Sequence, residues 1–151
     1  MELVHAVTKR QLQLHRRACN LLGVDPARIV LLGPTDFRLH TGGGTGYFLG
    51  RAAWGRRDGT PVEPPAVYVS RTAGYDTHVH EVLHVLFRSR PHWWIYAATA
   101  RLAGRSGGVV DPVRAAAQYL DYGRRTLEPR AKLIRLASAA ATKHGLGVLT
   151  R

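Results

Sequence analysis

The sequence predicts an α+β fold, and three features of its patterning carry that expectation. Apolar residues recur at helical spacing near the N-terminus, between Leu3 and Leu22. Short apolar runs bounded by glycine and proline then fill the stretch from Arg28 to Ser70, which is strand-like patterning. Helical periodicity returns at Val79 and persists towards the C-terminus. The expected architecture is an N-terminal helix, a small mixed or antiparallel sheet, a helix around His80, and three further helices, all in a single domain over 1–151.

The first helix is expected over 3–22, with Leu3, Val4, Val7, Leu12, Leu14, Cys19, Leu21 and Leu22 as its apolar positions and Gly23 as its stop. Asp25-Pro26 begins a short turn or helical start, and Arg28–Leu32 reads as a strand ended by Gly33-Pro34. Asp36–His40 alternates weakly as a second strand. Thr41–Gly46 is glycine-rich, but no Gly-Lys-Ser/Thr follows it, so a loop between strands is favoured over a phosphate cradle. Tyr47–Trp54 and Ala66–Ser70 are the next strands, and Pro64-Pro65 is expected to stop the latter from extending backwards.

Val79, Val82, Leu83, Leu86 and Phe87 follow helical spacing, with Asp76 or Thr77 available as the cap. Arg88–Pro91 is the expected stop, and His92–Ala103 opens a second helical pattern ending at Gly104. Helices at roughly 112–122 and 127–143, closed by Gly123 and Gly145, complete the expected scaffold.

Composition narrows the chemistry. At 151 residues and 45% hydrophobic, the chain can bury a sizeable core in one domain. No apolar run approaches the ~18–20 residues of a membrane span, and Met1–His5 lacks a signal-peptide pattern, so no membrane partner and a cytoplasmic location are expected. Cys19 is the sole cysteine, which excludes an intrachain disulfide and a cysteine-based zinc site. Histidines must therefore carry any metal. The net charge of +12, with Arg dominating the basic residues, makes DNA or RNA a candidate partner. The clusters Arg16-Arg17, Arg56-Arg57 and Arg124-Arg125 are scattered along the chain, and a bias towards Arg and Ala accounts for them equally well.

One pentad speaks directly about chemistry: His80-Glu81-Val82-Leu83-His84, an H-E-x-x-H sequence in an apolar run. On a helix, residues four apart lie one turn above each other, so His80 and His84 present two imidazoles to one point. Glu81 beside them can take a proton from a metal-activated water and return it to a leaving amine. Zinc needs a third protein ligand, and His92 is the nearest candidate, since a reversal at 89–91 would bring it back over the first helix. His78, two residues before His80, points away from that face and reads as a supporting or surface residue.

His80-Glu81-x-x-His84, a short linker, His92, an aromatic at Tyr96 and a small-residue helix ending near Gly104 together resemble the SprT/Spartan-like zinc metallopeptidases and their WLM relatives, over roughly 47–104. The resemblance implies Zn2+ on His80, His84 and His92, Glu81 as general base, a zincin-type helix, and a peptide substrate within DNA-associated protein. The chain departs from the SprT-like pattern at Trp93, where Gly usually follows the third His.

Related patterns fit less well. A metzincin needs Gly and His where this chain has Phe87 and Arg90. An ImmA/IrrE-like processing peptidase would take an acidic third ligand, for which Asp111 and Glu128 are available. Asp111 before Pro112 reads first as a helix cap, and Glu128 as first-turn charge. A reading from another class, a basic nucleic-acid-binding or regulatory module with a structural zinc, also fits the sequence. Tyr75, Tyr96, Tyr119 and Tyr122 are all chemically able to donate to an oxyanion, and spacing does not choose among them. Either Ala66–Ser70 or Tyr47–Trp54 could pair with an extended substrate as an edge strand.

Overall fold

The computed structural model describes residues 7–33, 50–55, 61–104 and 128–148, with 50–55 and 61–63 described by backbone alone. The described chain is α+β. Its elements are α1 (Lys9–Leu22), a 3-10 turn (Pro26–Arg28), β1 (Val30–Leu32), β2 (Gly50–Gly55), β3 (Pro61–Val69), α2 (Tyr75–Leu86), α3 (His92–Ala103) and α4 (Arg130–Lys143).

α1 starts later than its apolar pattern suggests, because Thr8 caps it: the Gln11 amide donates to Thr8 Oγ1 at 3.2 Å. It ends at Gly23, whose φ of 73° is open to glycine at little cost, and the Val24 amide turns back to the Cys19 carbonyl. Gly23 also admits α4 closely, since a Cβ there would lie 2.7 Å from Ser138 Oγ. Asp25 caps the 3-10 turn through the Ala27 amide. The Asp25 amide bonds the Leu146 carbonyl, tying the end of α1 to the chain beyond α4.

The sheet has the order β1-β3-β2. It is not the purely antiparallel alternative: β1 runs parallel to β3 (Val30↔Ala66, Leu32↔Tyr68), and β2 antiparallel (Gly50↔Val69, Ala53↔Ala66). A parallel pair requires a connection of a dozen or more residues, which the chain between Leu32 and Pro61 supplies. β3 passes through Pro64-Pro65, contrary to expectation. The register shifts between Ala53↔Ala66 and Gly55↔Pro61, so the prolines fall in an irregularity of the β2–β3 ladder, where missing N–H donors are tolerated. Ala66–Val69 is buried at every position, as befits a central strand.

α2 is the hub of the molecule and touches α1, α3, α4, β2 and β3. Nine of its residues are buried, which explains an apolar pattern that nearly encircles the helix. It starts at Tyr75 after Gly74, so Asp76 and Thr77 lie inside the first turn and neither is the cap. Leu83, Leu86 and Ile95 are almost fully buried in one cluster with Val67, Val69, Ala18, Leu22 and Leu133. Each such aliphatic side chain contributes about 1.5–3 kcal/mol through burial. α4 faces this cluster with Leu133, Ala137 and Ala141, one per turn, and the small alanines permit close approach. The expected strand Asp36–His40, the glycine loop 41–46, residues 47–49 and the helix at 112–122 lie outside the described residues. Among the described residues no helix is long and apolar enough to cross a membrane.

Candidate metal centre

Two helices build the site. α2 carries His80 and His84 one turn apart, and the Phe87 amide closes the helix on the Leu83 carbonyl at 2.8 Å. The Arg90 amide bonds the Phe87 carbonyl, and Pro91 opens α3 by accepting from the Trp94 and Ile95 amides. Phe87 meets buried Trp94 edge-on at 5.0 Å, and the Arg90 guanidinium covers Trp94 at 4.8 Å. These contacts fold α3 back onto α2 as an αα-hairpin. His92, the first residue of α3, thereby returns over the α2 histidines.

The three imidazoles converge. Ring centroids lie 4.7 Å apart for His80 and His84, 4.6 Å for His84 and His92, and 5.6 Å for His80 and His92. One ring nitrogen of each falls within 4.8 Å of the others, a spacing at which the three could hold a metal ion. The Nε2 atoms of His80 and His84 are 3.1 Å apart. That is close to the roughly 3.3 Å edge of a tetrahedron with Zn–N bonds of about 2.0–2.1 Å. The wider spread belongs to a set that includes exposed His92, the residue with most room to adjust, while His80 is buried and His84 half-buried.

The electrostatics suit ligation. Burial, and secondarily His92, lowers the His84 pKa to about 4, and burial also lowers that of His92. Both rings are neutral at pH 7, as metal ligands must be. Glu81 is buried beside His80 on the same helix, where a carboxylate can act on chemistry at the histidines.

Tyr96 joins this group, which separates it from Tyr75. It lies one turn after His92, stacks on that ring at 4.8 Å and 28°, and lies 4.9 Å from the His80 ring. Tyr75 instead lies under the Arg17 guanidinium of α1, and Tyr119 and Tyr122 fall outside the described residues. Of the alternative acidic ligands, Asp111 also lies outside them, and Glu128 pairs with Lys132 at 3.2 Å.

Behind the centre is a polar contact that sequence reading misses. His78 is fully buried, not at the surface, and its Nε2 donates to Gln11 Oε1 of α1 at 2.5 Å. Gln11 Nε2 donates to the Arg71 and Ala73 carbonyls at 3.1 and 2.9 Å, which leaves its oxygen as the acceptor and fixes the His78 tautomer. Burial, then His15, lowers the His78 pKa to about 3. The polar residues Gln11 and His15, inside the inner stripe of α1 with Leu14, Ala18, Cys19 and Leu22, are the available signal. Cys19 is buried beside His15, and burial pushes its thiol up to about 12, so it is not a reactive thiol.

No protein-family model matches the chain, and comparisons with curated proteins and with solved structures give no match.

Proposed function

We propose that the protein is a zinc-dependent metallopeptidase in which His80, His84 and His92 hold the metal and Glu81 is the general base. The observation that supports this most is the convergence of three imidazoles from two helices, two of them lowered in pKa, with a buried carboxylate next to the first. Bound zinc supplies a Lewis acid and lowers the pKa of water towards ~7. Glu81 takes the proton from the attacking water and passes it to the leaving amine. Tyr96 keeps the exposed His92 ring in place by stacking.

An extended peptide would pair with β2 and not with Ala66–Ser70. Ala66–Tyr68 of β3 is paired on both sides, whereas β2 has one partner among the described residues and touches α2. The deciding experiment combines zinc content by mass spectrometry with cleavage of unfolded casein. Wild type should carry about one zinc and cleave. His92→Ala should lose both, and Glu81→Gln should keep zinc while turnover falls by about 10²-fold or more. Zinc-free wild type, or an undiminished Glu81→Gln, removes this reading; zinc without turnover leaves the regulatory module with a structural metal.

A further inference from the structure

The geometry points to the outer face of α1 as a binding surface for the phosphate backbone of duplex nucleic acid, on the side of α2 away from the histidines. α1 buries Gln11, Leu14, His15, Ala18, Cys19 and Leu22. At 100° per residue, Lys9, Arg10, Gln13, Arg16, Arg17 and Asn20 all fall within an arc of about 120° on the opposite side. All six are exposed, and α1 contains no acidic residue. The four cations extend over about 12 Å along the helix, a spacing commensurate with successive phosphates. The Arg17 guanidinium is seated on the Tyr75 ring at 4.6 Å, so part of the array is held in place.

These charges are placed against helix stability. Lys9 and Arg10 occupy the first two positions of α1, where the positive end of the macrodipole favours acidic residues. Among the described residues neither they nor Arg16 has an ion-pair partner. A bound polyanion would relieve that repulsion.

The chemistry of the face selects among polyanions. No aromatic residue of α1 lies on it, and the one ring beside it, half-buried Tyr75, is covered by Arg17, so it lacks the open stacking platforms that single strands use and a duplex backbone fits better. The one exposed large apolar residue of α1 is Leu12, beside this face, while the helix's apolar side is spent on the core, so no wedge remains for a bilayer. His78, which meets Gln11 of α1, lies about 160° around α2 from His80. A duplex held on α1 therefore leaves the histidine side open, and the inference stands without the peptidase reading.

The test is fluorescence anisotropy of two unrelated 20-base-pair DNA duplexes with the full chain, titrated between about 50 and 300 mM salt. Both duplexes should bind equally, with log K falling against log salt at a slope of about −3 to −4, as four neutralised phosphates require. Arg10→Gln/Arg16→Gln/Arg17→Gln should flatten the slope by about 2–3 and weaken binding at least tenfold. Arg130→Gln/Arg135→Gln/Lys143→Gln, with the same net charge and all three residues exposed, should keep slope and affinity. His80→Ala should also keep duplex binding. Equal losses in the two triple variants would overturn the proposal in favour of diffuse net charge. So would preference for single strands or phosphatidylserine vesicles over duplex.

Discussion

Gln11→Leu tests the contact that ties α1 to the start of α2. Leucine keeps nearly the same volume, so the substitution isolates the polar contribution. Three hydrogen bonds disappear: those to the Arg71 and Ala73 carbonyls and the one from His78. At a net worth of about 1 kcal/mol each, their loss removes about 3 kcal/mol. The His78 N–H and the Ala73 carbonyl sit at buried positions with no replacement partner, so about 3 kcal/mol is the lower end. For a domain of this length that lowers Tm by roughly 6–12 °C. The assay is urea unfolding followed by circular dichroism, with thermal melts alongside. Gln13→Leu, two residues on but exposed on α1, is the control and should change stability by no more than about 0.5 kcal/mol. A Gln11→Leu loss below about 1 kcal/mol, or equal to that of Gln13→Leu, would refute the claim that this buried network fastens the two helices.

Three further outcomes follow from the same structure. His78 and His84 titrate near 3 and 4 when folded and near 6.5 when unfolded, so the unfolded chain binds more protons between those values. Stability of the chelator-treated protein is therefore full above about pH 6.5 and falls as pH drops towards 3–4; unfolding free energies that stay flat between pH 7 and 4 would contradict this. Gly23→Ala places a Cβ at φ 73° and 2.7 Å from Ser138 Oγ, which should cost about 1–3 kcal/mol in urea unfolding. Ser138→Gly should recover the steric part, and no recovery would disprove the close approach of α4. Tyr96→Ala removes the ring stacked on His92 and should weaken zinc binding about 2–10-fold in competition titrations, while Tyr96→Phe keeps the affinity; equal losses in both would assign the effect to the hydroxyl.

Much of the fold was legible because it depends on local rules. Gly23 and Gly104 stop their helices in left-handed conformations, and α3 spans His92–Ala103 as its periodicity indicates. Errors arose where local cues met tertiary constraints. Pro64-Pro65 reads as a barrier to a strand, yet a register shift lets β3 run through it. Asp76 is a good cap by type, but the helix begins one residue earlier. His78 reads as off the His80–His84 face, either supporting or at the surface, and only the packing of α1 on α2 decides between the two by burying it.

By itself the sequence determined that two imidazoles and a carboxylate would share one turn of helix, since helical geometry fixes neighbours three and four residues apart. It also determined that no cysteine-based metal site can form, because Cys19 stands alone. Only the tertiary structure decided that His92 returns to them, through the Phe87–Trp94 contact across the hairpin, and that Tyr96 packs against the His80 and His92 rings. Only it gathered Lys9, Arg10, Arg16 and Arg17 into an exposed face, by burying the opposite side of α1. Spacing along the chain sets which side chains can be neighbours within an element. Which of them meet across elements is settled by which apolar faces bury each other.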